Sequence, residues 1–283
     1  MPSRASRWSA IATRRISPHE PESERVMAIS NRAQRLHEEL FPDHRSTLEQ
    51  TDPELIELFD NFAFDEVIEH GQLDLKTRTM LVLASLIGSN AVAEFEVMAG
   101  GALNVGVTPI ELKEIVYQAV AYVGMGRAFE LLDVTNGVLA ERGVALPLPG
   151  QSTTTRETRF EKGLEAQKAI FGSAIDRMYE QAPTDEQHIQ RFLSANCFGD
   201  FYTRGGLDLQ QRELVTLSIL IALGGAEPQI KGHIQGNLNV GNDRARLVGV
   251  ITALLPWVGY PRTLTALKCL DEVVPHGKGD GHE

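Results

Sequence analysis

Apolar residues recur along the chain with the spacing of helices rather than of strands. The clearest amphipathic segment follows Pro109, where one face carries Leu112, Ile115, Val116, Ala119, Val120 and Val123. Two further runs, residues 80–87 and 214–223, are apolar on almost every side, which predicts central, buried helices. The sequence lacks the β-branched alternation and two-residue turns that mark strands. The pattern therefore predicts an all-α protein.

Polar and turn-forming residues mark where these helices begin and end. Asp74 and Asp208 are positioned to cap helices by accepting hydrogen bonds from free N–H groups, and Gln211 completes a capping box with Asp208. Thr108-Pro109-Ile110-Glu111 combines a hydroxyl cap, a first-turn proline and a glutamate at the third helical position. The Asn-Val-Gly sequence that ends another helix in each half supplies a glycine for a left-handed residue.

The helical pattern occurs twice. Leu73-Asp74-Leu75-Lys76-Thr77-Arg78 returns 134 positions later as Leu207-Asp208-Leu209-Gln210-Gln211-Arg212. Leu103-Asn104-Val105-Gly106 returns 135 positions later as Leu238-Asn239-Val240-Gly241, and Tyr122-Val123-Gly124 matches Trp257-Val258-Gly259 at the same offset. Ordered matches at an almost constant offset indicate a duplicated unit.

A run rich in Pro, Gly, Ser and Thr, residues 146–155, separates the copies and is typical of an exposed linker. With a boundary near Gly150, we predict a first domain over residues 27–150 and a second over residues 151–283. Residues 1–26 are rich in Arg and Ser, with no acidic residue before Glu20, and are predicted to be a disordered extension. A transit segment, or translation from Met27, are the alternatives.

Charge and cysteine content narrow the functional classes. A formal net charge of -11 would repel phosphate backbones, which argues against nucleic acid as a partner. Cys197 and Cys269 are the only cysteines and lie outside any CxxC or Cys/His cluster, so neither a disulfide framework nor a metal site is predicted. The longest apolar stretches, residues 215–226 and 248–260, are shorter than the roughly 18–20 residues of a membrane span. We therefore expect a soluble, cytoplasmic protein without a membrane partner.

The second copy carries the motif order of a known family. Asp208-Leu209-Gln210-Gln211-Arg212-Glu213-Leu214 is followed by an apolar helix and then by His233-Ile234-Gln235-Gly236-Asn237-Leu238-Asn239-Val240-Gly241. This order resembles the carboxymuconolactone decarboxylase family, which shares the alkylhydroperoxidase D-like fold. The stretch over residues 198–208 is similar to the decarboxylase branch. The resemblance covers roughly residues 51–138 and 185–274 and implies two such helical units in one chain.

The peroxidase branch of this family uses a glutamate, a CxxC pair and a histidine. On this sequence the glutamate falls on Glu213 and the histidine on His233, whereas the two thiol positions hold Ala226 and Gln229. A disulfide-forming peroxidase needs two thiols within reach, so that chemistry is not expected at these positions. The first copy holds none of the motif residues, because the corresponding positions are Thr79, Ala91, Glu94 and Met98. Any activity is therefore expected in the second copy.

The resemblance implies a cofactor-free, metal-free decarboxylase that acts on a small carboxylated lactone or a related catabolic acid. His233 would transfer the proton, and Glu213 would orient its ring. Arg204, Asp200 and Trp257 form the predicted substrate-binding set, in which Arg204 would hold a carboxylate. The alternatives are a surface ion pair between Arg204 and Asp200 and plain core packing of Trp257.

Several alternatives stay open at this point. His233 could be a structural histidine, and Glu213 an exposed residue of a first helical turn. Glu94 and Glu96 are interpreted as solvated helix positions, with a shared cavity as the alternative. A peroxidase-like protein that uses Cys197 or Cys269, or an inactive ligand-binding homologue, would be different functional classes. Because family members assemble into rings, the resemblance also implies a homo-oligomer, a trimer of tandem chains.

Overall fold

A computed structural model describes residues 28–42, 44–71 and 73–275. Within these ranges the protein is helical and has no β-strand, which confirms the predicted all-α class. The predicted disordered extension, residues 1–26, lies outside the described residues.

The two halves of the chain contain the same succession of helices. The first has α1 (Asn31–Leu40), α2 (Pro53–Phe64), α3 (Leu75–Ser89), α4 (Val92–Asn104), α5 (Pro109–Val123) and α6 (Met125–Glu141). Short 3₁₀ turns, Thr47–Gln50 and Glu66–His70, flank α2. The second half has α7 (Arg159–Phe171), α8 (Ala174–Gln181), α9 (Gln187–Phe192), a π-helical segment (Leu193–Tyr202), α10 (Leu209–Leu223), α11 (Glu227–Asn239) and α12 (Arg244–Val273).

The predicted capping residues begin the helices as expected. The Asp208 carboxylate accepts from the Gln211 N–H across 2.8 Å, and the Gln211 side chain accepts from the Asp208 N–H across 3.0 Å. Thr108 and Glu111 form the same reciprocal pair at the start of α5, and Asp74 caps α3. These bonds satisfy first-turn N–H groups that have no partner within the helix.

The buried helices α3 and α10 form the centre of the molecule. Residues 80–87 and 214–222 are buried throughout, as the apolar runs predicted. The two helices approach closely at Gly88, where a Cβ would lie 2.5 Å from the carbonyl oxygen of Ile219 and 2.8 Å from Cβ of Ala222. The interface between the two copies is therefore the core of the whole chain, and each copy supplies one of its walls.

Matching details show that the copies share one architecture. The Asn104 side chain donates to the carbonyl of Leu40 across 2.7 Å, and Asn239 donates to the carbonyl of Ile170 across the same distance. These bonds identify α7 as the counterpart of α1. The predicted left-handed glycines are confirmed, with φ of 88° at Gly106 and 96° at Gly241.

Helix α12 is long and apolar enough to span a membrane by length and composition, with 44% of its most apolar window buried. Gly259 interrupts it with a φ of 75°, the conformation that Gly124 adopts with a φ of 77° between α5 and α6. Residues 244–258 and 260–273 are thus the counterparts of α5 and α6, and each is shorter than the roughly 20 residues of a span. Leu247, Val250 and Leu254 lie in the protein core.

The predicted linker runs without helix between Glu141 and Arg159 and is mostly exposed. It contacts the second copy, because the Gly205 N–H donates to the carbonyl of Gln151 across 2.9 Å. Thr153 likewise donates to the carbonyl of Thr203 across 2.7 Å. The domain boundary near Gly150 remains a prediction within this segment.

Candidate functional site

Helices α10 and α11 bring Glu213 and His233 into direct contact. Glu213 Oε2 and His233 Nδ1 are 2.9 Å apart; Glu213 has no exposed surface, and His233 is 9% exposed. The Asn237 side chain donates to the main-chain carbonyls of Glu213, across 3.1 Å, and of His233, across 2.7 Å, which ties the two helices together. Glu213 is therefore a buried partner of His233 rather than an exposed residue of a first helical turn.

Space for the Glu213 carboxylate is provided by a glycine on the facing helix. A Cβ at position 236 would lie 2.6 Å from Glu213 Oε2 and 2.8 Å from the Cγ2 atom of Ile170. Gly236 belongs to the motif that carried the family resemblance. Its missing side chain lets α11 approach α10 closely enough for the histidine to reach the carboxylate.

The second carboxylate oxygen is held by Tyr202, which sequence analysis did not single out. Its hydroxyl donates to Glu213 Oε1 across 2.9 Å and lies 2.6 Å from Thr216 Oγ1. Because an ionised carboxylate only accepts hydrogen bonds, Glu213 favours the proton on His233 Nδ1. This leaves Nε2 as the ring nitrogen with a lone pair, and Nε2 has no protein partner within the described part of the chain.

The first copy contributes to this network through α5. Tyr122 donates to the Tyr202 hydroxyl across 3.0 Å, and Gln118 donates to Thr216 Oγ1 across 2.7 Å. The Tyr122 ring also packs edge-on against His233, with ring centroids 5.8 Å apart, and Phe171 covers the histidine at 5.5 Å. The candidate site is therefore built at the junction of the two copies.

Burial determines the protonation of the groups around the pair. It raises the pKa of Tyr202 and that of Tyr122 well above the usual value, and the nearby Glu213 carboxylate raises both further. Both phenols therefore stay protonated donors. Burial also raises the pKa of Cys197 to about 12, and its thiol lies 3.7 Å from the Tyr122 hydroxyl. A thiol is a poor nucleophile, so the geometry does not favour peroxidase chemistry at Cys197.

Arg204 lies in a separate cluster between the copies. Its guanidinium binds the buried Glu114 carboxylate, with Nε 3.0 Å from both oxygens, and it covers the ring of Tyr117 at 5.0 Å. The fully buried Arg212 binds the same carboxylate across 3.1 Å. Arg204 lines a cavity of about 350 Å³ to which neither His233 nor Glu213 contributes. This arrangement favours a structural role for Arg204 over carboxylate binding.

The other two members of the predicted substrate-binding set lie elsewhere. Asp200 pairs with Arg159 across 2.8 Å, and not with Arg204. Trp257 packs edge-on against Phe59 in the first copy, with centroids 5.2 Å apart. The structure thus brings together Glu213 and His233 and separates Arg204, Asp200 and Trp257 from them.

The first copy has no acid–histidine pair at the positions that correspond to Glu213 and His233. Thr79 and Met98, the counterparts of Glu213 and His233, are both buried, and the Thr79 hydroxyl donates to the carbonyl of Leu75. No group of three or more His, Cys, Asp or Glu side chains that could hold a metal ion occurs within the described ranges.

Two signals in the sequence point to the residues that were missed. Tyr122 aligns with Trp257 in the repeat, so both copies have a large aromatic residue at this position. Tyr202 lies within residues 198–208, the stretch that is similar to the decarboxylase branch. Neither signal indicates that the two tyrosines meet at the junction of the two copies.

Comparison with known proteins agrees with this architecture. A sequence model of the carboxymuconolactone decarboxylase family matches residues 53–137 and again residues 187–272. The chain is 30% identical over 118 residues to a 4-carboxymuconolactone decarboxylase from Acinetobacter baylyi, covering 41% of this chain and 87% of that protein.

A second relative matches a shorter part of the chain. The chain is 37% identical over 79 residues to nitrosuccinic acid decarboxylase npaB from Metarhizium robertsii, covering 28% of this chain and 55% of that protein. The chain therefore spans about half the length of this relative. The two family matches lie one in each half of the duplicated fold and together cover more than half of the sequence. The chain belongs to the carboxymuconolactone decarboxylase family, as a member with two tandem copies of the family's helical unit.

Proposed function

We propose that the protein is a decarboxylase that removes CO₂ from a small organic acid, with His233 as its proton-transfer group and Glu213 as the positioning partner. The observation that carries this proposal is the buried 2.9 Å contact between Glu213 Oε2 and His233 Nδ1. Both relatives described above are named as decarboxylases, which supports the same reaction class.

The two named substrates suggest a common chemistry. In 4-carboxymuconolactone and in nitrosuccinic acid, breaking the bond to the carboxylate leaves an electron pair that an unsaturated carbonyl system or a nitro group can accept. A proton must then reach carbon, so that a C–H bond replaces the C–CO₂⁻ bond. These steps balance without an oxidant or a reductant, which is why we propose no cofactor.

His233 is suited to deliver that proton. The Glu213 carboxylate occupies Nδ1, so Nε2 is the ring nitrogen that can pass a proton to the substrate and regain one from solvent. The Tyr202 hydroxyl donates to the Glu213 carboxylate, and the Tyr122 ring packs against the imidazole of His233. Arg204 has no part in this mechanism, because Glu114 already binds its guanidinium.

The test is CO₂ release from 4-carboxymuconolactone and from nitrosuccinate, with the product formed in D₂O analysed for deuterium at carbon. We expect turnover of at least one acid, and a kcat lower by roughly 10²–10⁴ in His233→Asn. His188→Asn, which alters an exposed histidine of α9, is the matched control and should leave kcat unchanged. Turnover that His233→Asn leaves intact would contradict the mechanism. No CO₂ from either acid would contradict the substrate class.

A further inference from the structure

A cavity of about 400 Å³ is lined mainly by residues of the first copy and lies beside two of its motif positions. Ala91 and Glu94, which occupy the two thiol positions of the family motif, form part of its wall. Trp257 and Phe64 line it as well, and they are the counterparts of Tyr122 and Phe198. The first copy has thus lost the motif residues and kept an open space beside them.

The second copy closes the corresponding region with hydrogen bonds. Ser194 is fully buried and donates to Gln167 Oε1 across 2.6 Å, and Tyr179 of α8 lies 2.8 Å from the Ser194 hydroxyl. By the repeat, Gln167 corresponds to His37 and Ser194 to Asp60. Gln167, Ser194 and Tyr179 therefore bond to one another within the second copy.

In the first copy the same position holds an unpaired carboxylate. Asp60 is 8% exposed, lines the cavity, and has no hydrogen-bond or ion-pair partner among the described residues. Burial raises its pKa, and His37 is close enough to oppose that rise but not close enough to form an ion pair. A buried carboxylate without a partner carries a desolvation cost that a bound donor would relieve.

Aromatic rings line the same cavity as this carboxylate. Phe59 and Trp257 meet edge-on with centroids 5.2 Å apart, and Phe64 packs against them at 6.1 Å and 6.5 Å. Phe41 lies 6.2 Å from Phe64 on the other side. Faces of aromatic rings attract cations, and the rings also accommodate an apolar ligand body.

Charged residues at the cavity are predominantly acidic. Asp60, Glu94 and Glu49 contribute carboxylates, His37 and His44 contribute imidazoles, and the described lining residues include no Lys or Arg. Arg45 lies outside the lining, and its guanidinium is 4.0 Å from the Glu49 carboxylate. The cavity would therefore repel the anionic acids proposed for the second copy and favour a positive charge.

We propose that the first copy carries a ligand site of its own, in which Asp60 and the aromatic wall bind a small organic cation, a primary ammonium on an aromatic or aliphatic body. The ammonium donates to the Asp60 carboxylate, and the body lies among Phe59, Phe64 and Trp257. This site is separate from the decarboxylase site, so its occupancy can be measured without any turnover.

The test compares three probes of one shape in the full-length protein: 2-phenylethylammonium, 2-phenylethanol and 3-phenylpropanoate. Binding is followed by calorimetry and by the fluorescence of Trp257 in a Trp8→Phe background, where it is the only tryptophan. We expect the cation to bind about tenfold more tightly than the alcohol and the anion not to bind.

Two variants of α2 distinguish this site from unspecific binding. Asp60→Asn keeps the shape, removes the charge, and should weaken binding of the cation about tenfold or more without loss of thermal stability. Glu54→Gln alters an exposed carboxylate of the same helix and should have no effect. The proposal is overturned if the cation does not bind, if the three probes bind equally, or if Asp60→Asn binds the cation as the wild type does.

Discussion

Glu213 accepts hydrogen bonds at both of its oxygens and has no exposed surface. A single buried carboxylate thereby fixes the position of a tyrosine and the tautomer of a histidine. The family motif predicted the contact between Glu213 and His233, because it names both residues in order. It could not predict Tyr122, Gln118 or Asp60, whose surroundings depend on how two copies pack rather than on local spacing.

Arg78 and Arg212 occupy the same position in the two copies but differ in their hydrogen bonding. Arg212 binds Glu114, Gln118 and two main-chain carbonyls, whereas both terminal nitrogens of the buried Arg78 lack a partner among the described residues. The repeat explains the difference, because Gly249 and Ala253 stand where Arg212 finds Glu114 and Gln118. Burial accordingly lowers the pKa of Arg78 with no opposing partner.

We predict opposite stability effects for the same substitution at these two sites. Arg78→Met removes an uncompensated buried charge and should raise the free energy of unfolding by about 1–2 kcal/mol. Arg212→Met leaves Gln118 and two carbonyls without their donor and should lower it by about 2–4 kcal/mol. Urea unfolding of the two variants measures both values. A loss of stability in Arg78→Met as large as in Arg212→Met would contradict this account.

Among the helices, α3, α5 and α10 were predicted together with the residues at which they begin, because apolar runs and capping residues mark them. The kink at Gly259 was not predicted, although Pro256 and Pro261 lie on either side of it and the repeat aligns it with Gly124. The π-helical segment Leu193–Tyr202 was also not predicted, since its residues differ little from those of an α-helix.

Packing of α3 against α10 gives a test at this scale. Gly88→Ala would place Cβ 2.5 Å from the Ile219 carbonyl oxygen, so the helices must separate. We expect a loss of about 1–3 kcal/mol, which outweighs the higher helix propensity of alanine. Gly232→Ala in α11 is the control, because a Cβ there would meet no atom of another element within 4 Å. It should raise the free energy of unfolding by up to about 1 kcal/mol. Equal thermal unfolding of both variants would refute close packing at Gly88.

Across the whole molecule, the two copies of the duplicated unit differ in the groups that they keep. The second copy keeps the motif pair, whereas the first keeps a cavity whose Asp60 carboxylate has no partner among the described residues. The first copy, which lacks the motif residues, contributes Gln118 and Tyr122 to the surroundings of the pair in the second. A trimer of such chains remains a prediction from the family resemblance.

Coupling between the copies predicts that a residue of the first copy affects turnover in the second. Tyr122→Phe retains the ring beside His233 but removes the hydroxyl that donates to Tyr202. We expect kcat to fall about tenfold with KM little changed. Tyr117→Phe on the same helix, whose ring covers Arg204, should leave kcat unchanged. Similar kcat values for both variants would indicate that α5 has no part in the reaction.

If Glu213 and His233 act as one unit in decarboxylation, their effects on kcat are not independent, and a double-mutant cycle measures this. We expect Glu213→Gln to lower kcat for CO₂ release by roughly 10–10³ and His233→Asn by roughly 10²–10⁴. The double variant should be no slower than His233→Asn alone, because the carboxylate acts only through the histidine. Losses that multiply in the double variant, or a kcat that Glu213→Gln leaves unchanged, would contradict the account.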